Sequence, residues 1–125
     1  MRLAGAPLIA FLATIDARRA RAFYETTLGL NLIEDSPFAV VFEANGTMLR
    51  IQKVERFTPH PFTSLGWSVD EIASTVSELA GKGVACERFP GMEQDAAGIW
   101  TSPAGARIAW FRDPDGNLLS VTEFG

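Results

Sequence analysis

The chain has 125 residues, 47% of them hydrophobic and 21% charged, with a formal net charge of −4 at pH 7. This length and composition suit one compact globular domain with an apolar core and exclude a disordered chain. The acidic balance excludes a nucleic-acid binder, which needs Lys and Arg to displace counterions from phosphates, and no stretch is long and apolar enough to span a membrane.

Taken from the N-terminus, Leu3 to Ile15 has the apolar look of a signal peptide, but it runs on into Asp16-Ala-Arg-Arg and has a counterpart in the second half. It therefore reads as a strand. Phe11-Leu-Ala-Thr-Ile-Asp16 and Leu65-Gly-Trp-Ser-Val-Asp70 each end an extended run with a β-branched residue and Asp, and each Asp precedes a Gly, Gly29 or Gly83, by thirteen positions. Asp16 and Asp70 suit helix N-caps, and the glycines suit left-handed C-terminal caps. Between them Ala20, Phe23, Tyr24 and Leu28, and then Ile72, Val76, Leu79 and Ala80, recur at helical spacing. Arg18, Arg19 and Arg21 in the first helix read as a solvated face.

After the first helix come extended runs at Leu30 to Glu34, Phe38 to Glu43 and Met48 to Val54, the last two joined by Asn45-Gly46, a two-residue hairpin signal. The prolines of Thr58-Pro-His-Pro61 resist helix and central strand and mark a linker. After the second helix come Val84 to Phe89, an irregular segment through Pro103 in which Gly98 to Ser102 can add an edge strand, then Arg107 to Arg112 and Leu118 to Phe124. Asp113-Pro-Asp-Gly-Asn117 joins the last two as a β-hairpin. The plan is strand, helix, three strands, twice over: one domain over residues 1–125, with module one at about 7–56, a linker at 57–62 and module two at about 63–124. The single cysteine, Cys86, cannot form an internal disulfide and reads as a buried thiol in a reducing, cytoplasmic compartment.

This paired βαβββ plan, with Phe23-Tyr24…Leu28-Gly29-Leu30 in the first helix and Asp113-Pro-Asp-Gly-Asn117 in the closing hairpin, resembles the vicinal oxygen chelate superfamily: glyoxalase I, extradiol dioxygenases, fosfomycin-modifying enzymes and bleomycin resistance proteins. The resemblance implies an α+β fold, two βαβββ modules forming an incomplete barrel whose concave side holds a ligand or a divalent metal. It does not imply a single function.

The metal-dependent members carry a His on the first strand, a His or Gln on the first strand of the second module and a Glu on the last strand. By position these become Ile9, Ser64 and Ser120. An aliphatic side chain and two neutral hydroxyls cannot replace carboxylate or imidazole donors at about 2.0–2.2 Å, so no metal and no other cofactor is expected. His60, the only histidine, falls in the linker, and Glu123 points away from Ser120 because side chains alternate along a strand.

The Asn45-Gly46 turn pairs Glu43 with Met48, Val41 with Arg50 and Ala39 with Gln52 on one face, leaving the strongly apolar Phe42, Leu49, Val40 and Ile51 to lie under the helix. The concave set is then Val41, Glu43, Met48, Arg50 and Gln52. The family register adds Phe11 beside Ile9, then Ser64, Gly66 and Ser68, and Ile108, Trp110 and Ser120. Trp67 falls on the helix side. The ligand-binding candidates are accordingly Phe11, Glu43, Met48, Arg50, Gln52, Ser64, Trp110 and Ser120, an apolar and aromatic hollow with a few polar groups. Arg50 has two readings, an ion pair with Glu43 or a cation awaiting an anionic or carbonyl-bearing ligand. Trp110 is open between packing and ligand stacking, and Trp100 between core and dimer contact. In the loop at residues 89–98, Met92, Glu93, Gln94 and Asp95 form a lid or a crossover.

Three functions follow. The first is a metal-independent small-molecule binding protein of bleomycin-resistance type. The second is an enzyme, lyase, isomerase or dioxygenase-like, with a non-standard or metal-free site in which Arg50 and Glu43 or a lid carboxylate move a proton. The third is a structural dimerisation module. The resemblance implies a homodimer; neither nucleic acid nor a membrane is an expected partner.

Overall fold

In the computed structural model, residues 2–125 are described, and the chain divides into two compact units, Met1–Thr58 and Pro59–Gly125. The first unit contains β1 (Ile9–Thr14), α1 (Ala17–Ala22), a π-helical continuation of that helix over Phe23–Thr27, β2 (Asn31–Asp35), β3 (Ala39–Ala44) and β4 (Thr47–Lys53). The expected strand at Leu3 to Ile15 is shorter than its apolar run. Gly5 and Pro7 interrupt it, and Leu3–Gly5 forms a 3-10 turn instead.

The first sheet has the order β1-β4-β3-β2, with β1 parallel to β4 and the other neighbours antiparallel. The hairpin register is the one that Asn45-Gly46 implies: Val41 faces Arg50, Phe42 faces Leu49 and Glu43 faces Met48. Both turn residues have positive φ, 48° and 89°, as a two-residue hairpin of this hand requires. Side-chain alternation then sends Val40, Phe42, Leu49 and Ile51 to one face, where all four are buried with Leu12, Ala20 and Tyr24. The rings of Tyr24 and Phe42 lie 5.9 Å apart.

Asp16 caps α1, its carboxylate accepting from the Arg19 N–H. At the other end the Leu30 N–H donates to the Tyr24 carbonyl around Gly29, whose φ is 76°, closing the helix in the left-handed manner its glycine implies. Arg21 departs from the expected solvated face. It pairs with Glu25 and with Asp35 at the end of β2, and Lys53 at the end of β4 reaches the same carboxylate at 2.6 Å. Asp35 thus ties the helix to two strands. The Lys53 hydrogen bond, with Arg21 adding to it against the opposing effect of burial, holds the Asp35 carboxyl below its ordinary value of 3.8. A carboxyl with a depressed folded pKa contributes stability that is present above the unfolded value and lost as pH falls through the folded one. Asp35→Asn should therefore lower stability at pH 7 and flatten the part of its decline that lies below about pH 4, as measured by urea unfolding across that range.

The second unit contains β5 (Leu65–Ser68), α2 (Ile72–Gly81), β6 (Trp100–Thr101), β7 (Arg107–Arg112) and β8 (Leu118–Glu123). Its sheet has the order β5-β8-β7-β6, the same plan as the first, with β5 parallel to β8. Ile72, Val76 and Leu79 of α2 are buried with Ala109, Phe111, Leu119 and Val121, and Trp67 stacks on Phe111 at 6.3 Å between centroids. Ala80, expected on the same stripe, is exposed at the last turn.

Two expectations fail here because a side chain outside the segment takes over its backbone groups. Asp70 does not cap α2, because the helix begins one residue later, with Glu71 in the N-cap position and no cap from its side chain. The Ile72 N–H is instead accepted by Glu123 from the end of β8, at 3.0 Å. This places Glu123 on the helix side, opposite Ser120. Val84 to Phe89 is not a strand. The Val84 N–H donates back to the Leu79 carbonyl of the helix, the Glu87 N–H donates to the Trp110 carbonyl, and the Gln94 side-chain amide donates to the Glu87 and Gly98 carbonyls and accepts from the Phe89 N–H. The fourth strand is supplied by Trp100–Thr101, paired with Arg107 and Ile108.

Candidate functional site

Five candidates from the first unit share one face of its sheet, the face away from α1. Register sets Phe11, Arg50 and Val41 side by side across β1, β4 and β3, with Ile9, Met48 and Glu43 in the row on one side and Ala13, Gln52 and Ala39 in the row on the other. This face is apolar and open at β1: Phe11 is 53% exposed and Met48 38%, while Val41 and Ala39 are buried.

The ion pair between Arg50 and Glu43 is absent. Glu43 bends back to its own hairpin and accepts the Gly46 N–H, so the tight turn takes the carboxylate that the cross-strand pair needs. Arg50 is half-buried, and among the described residues no carboxylate, carbonyl or hydroxyl bonds it. The same geometry removes Glu43 as a free proton acceptor beside Arg50.

In the second unit, Gly66, Ser120 and Trp110 form one row across β5, β8 and β7. Ser120 is only 8% exposed, and its hydroxyl lies where a side chain at residue 66 would begin: a Cβ added to Gly66 would sit 2.6 Å from Ser120 Oγ. The glycine makes room for the serine. Ser64 precedes β5 and donates its backbone N–H to the Leu118 carbonyl, extending the parallel ladder.

Trp110 is the centre of an aromatic group. Its ring is edge-on to Phe89 at 5.5 Å and tilted against Trp100 at 6.2 Å, and its indole N–H donates to Thr63 Oγ1 at 3.1 Å. All three rings are half-buried. Trp100 therefore belongs with the candidate site, as do Phe89 and Thr63, which sequence reasoning did not single out. The signal for Trp100 was available: pairing Gly98 to Ser102 with β7 puts it opposite Ile108, on the face of Trp110.

The loop at residues 89–98 is held by its own side chains. Besides the Gln94 contacts, Asp95 accepts from the Ala97 and Ile99 N–H groups, and Arg88 donates twice to the Asp95 carbonyl. Gln94 and Asp95 are thus structural, and Glu93 lines an open groove beside Trp100. Cys86 is half-buried rather than buried, against Gly98 and near α2; burial, reinforced by Asp95 and opposed by Arg88, raises its thiol pKa and keeps it protonated. His60 is exposed and lies against Phe62.

The resemblance assigns the metal positions to Ile9, Ser64 and Ser120. Ile9 is an exposed aliphatic side chain, and Ser120 Oγ is packed on the Gly66 backbone, so this set does not fit a divalent ion. Among the described residues no three His, Cys, Asp or Glu side chains gather as a metal site.

A family model described as the Glyoxalase/Bleomycin resistance protein/Dioxygenase superfamily matches residues 7–121. The "Uncharacterized protein YraH" of Bacillus subtilis (strain 168) is 26% identical over 122 residues, covering 85% of this chain and 88% of that protein. Among solved structures, TnmS3, an antibiotic binding protein from Streptomyces sp. CB03234, superposes with a TM-score of 0.74 at 22% identity, covering 97% of each chain. Lactoylglutathione lyase from Agrobacterium tumefaciens does so with a TM-score of 0.71 at 20% identity, covering 95% of this chain and 93% of that one. A binding protein and an enzyme share the fold, so the likeness shows the fold alone.

Proposed function

Because the chain belongs to the glyoxalase/bleomycin resistance protein/dioxygenase superfamily, we propose that it is a metal-independent small-molecule binding protein that takes a flat, apolar ligand against Trp110. The observation that carries this is the group of Phe89, Trp100 and Trp110, half-buried on the sheet face away from α2, with the Trp110 indole fixed by Thr63. Aromatic rings arranged edge-on and offset leave π-faces for a further ring, and the anchored indole loses little entropy when a ligand stacks on it. TnmS3, which shares the fold, is an antibiotic binding protein. Taken by itself, the open face of the first sheet carries the apolar Phe11 and Met48 with two polar groups, Arg50 and Gln52. Ser64 and Ser120 shape the second sheet rather than donate to the ligand. Enzymatic proton transfer by Arg50 with Glu43 is disfavoured, because the Glu43 carboxylate is engaged at the turn.

The same reading makes the protein a cytoplasmic homodimer, supported by its lone unpaired cysteine and by the exposed Leu3, Leu8 and Ile33 of the first unit. Native mass spectrometry should report two chains and no metal. The test of the binding reading is saturable quenching of tryptophan fluorescence by a neutral bicyclic arene, 2-naphthamide. Trp110→Ala should weaken it about tenfold or more, the scale of a lost stacking ring, while Trp67→Phe, on the opposite face, leaves the affinity unchanged. Equal affinity in wild type and Trp110→Ala would sink the assignment.

A further inference from the structure

We infer that Arg50 is an anchor for a carboxylate group, so that the natural ligand is an apolar organic acid. The inference concerns the open face of the first sheet by itself; it rests on the reading above that the protein binds an apolar small molecule and adds the chemical class of that ligand. Three observations carry it.

The first is the missing partner. The half-buried arginines Arg21 and Arg107 each face a carboxylate, Glu25 and Asp35 for the one and Glu123 for the other. Arg50, half-buried in a central strand, has none among the described residues, although Glu43 is its neighbour on the same face. A guanidinium partly withdrawn from water costs free energy unless a charge or good acceptors compensate it, and its planar fork matches a carboxylate with two parallel bonds.

The second is the surroundings. Register places Phe11 on one side of Arg50 and Val41 on the other, with Met48 and Gln52 two residues away along β4. Phe11, Met48 and Ile9 are all exposed at this face. A cation set among apolar side chains selects a molecule with one charged end and an apolar body, and the Gln52 amide, two positions along the strand, offers a neutral donor to the second oxygen.

The third is the charge count. Lys53, the nearest cation along β4, has the opposite strand parity and is spent on Asp35. The other charged residues on the open face are acidic: Glu43, held at its turn, and Glu34, opposite Val41 on β2. One guanidinium with acidic neighbours suits a monoanion. A phosphate dianion would need further donors that this face lacks.

The experiment is calorimetric titration with two molecules of one shape, 2-naphthoate and 2-naphthamide, on the intact wild-type protein, Arg50→Met and Arg50→Lys. Wild type should bind the acid about tenfold or more tightly than the amide, as a charge-assisted pair implies. Arg50→Met should erase that preference without lowering the melting temperature, and Arg50→Lys should keep part of it with a steeper loss in salt. Equal affinity for acid and amide in wild type overturns this inference and leaves the binding reading standing. An acid preference that survives in Arg50→Met overturns it too, as does a fall in melting temperature of Arg50→Met that Arg50→Lys restores, which makes the residue structural. If neither molecule binds, both readings fall together.

Discussion

Replacing Phe42 with alanine should lower the free energy of unfolding by about 4 kcal/mol, the usual scale for a fully buried ring. Phe42 is 0% exposed, and its neighbours Leu49, Ile51, Val40 and Tyr24 are themselves buried, so little can move in to fill the space. The cost then combines the lost transfer energy of the ring with the cavity it leaves. Chemical denaturation is the measurement: the midpoint should fall while the slope stays constant. Phe38, one residue before β3, supplies the contrast, because it is 78% exposed. Phe38→Ala should change stability by no more than about 0.5 kcal/mol. A small loss at Phe42, or a large one at Phe38, would contradict the face assignment of the β3–β4 hairpin.

The second large effect is expected at Asp113, which closes the β7–β8 hairpin. Its Oδ1 accepts from the Asp115 and Asn117 N–H groups and its Oδ2 from the Asn117 side-chain amide, all at 2.9 Å, while its own N–H donates to the Asn117 carbonyl. The residue is 5% exposed. Asp113→Ala leaves donors in a buried turn without an acceptor and should cost about 3 kcal/mol, since bonds to a charged acceptor are stronger and unmade ones carry the full desolvation penalty. Asp113→Asn keeps one acceptor oxygen and should cost about half of that. A ranking in which Asn is worse than Ala would show that the turn is not held by these bonds.

The hairpins were legible because their information is local. Asn45-Gly46 sets the turn, the turn sets the register, and alternation then decides which of Val40, Val41, Phe42 and Glu43 goes where. The same locality made the repeat visible through Asp16, Gly29 and Gly83. What could not be read depended on side chains far along the chain or on competition between two acceptable partners. Val84 to Phe89 alternates like a strand, but the Gln94 amide bonds the Phe89 N–H and the Glu87 carbonyl in place of a strand ladder. Asp70 reads as a cap, but the helix starts one residue later and the Ile72 N–H bonds Glu123, 51 residues along the chain from Ile72. Glu43 had two donors within reach, the Arg50 guanidinium and the Gly46 N–H of its own turn, and the shorter path won. The aromatic group was half-visible for a related reason. Trp110 was identified from the family register of the closing hairpin, whereas Phe89 and Thr63 join it through loops, whose course periodicity does not encode.

The strand orders carry a consequence for biosynthesis. Every strand of the first sheet pairs within residues 9–53, so its ladder is complete in the nascent polypeptide before β5 is translated. The second half has no such advantage. β5 is made first, but its only strand partner in the sheet is β8, the last of the four in chain order, and β8 also sits at the centre of that sheet beside β7. Until β8 has been translated, β5 remains an unpaired strand with its backbone groups open to other chains, and release before Leu118 strands it permanently. Products truncated before β8 should therefore aggregate through β5, which places the demand for chaperones on the interval between the synthesis of β5 and that of β8.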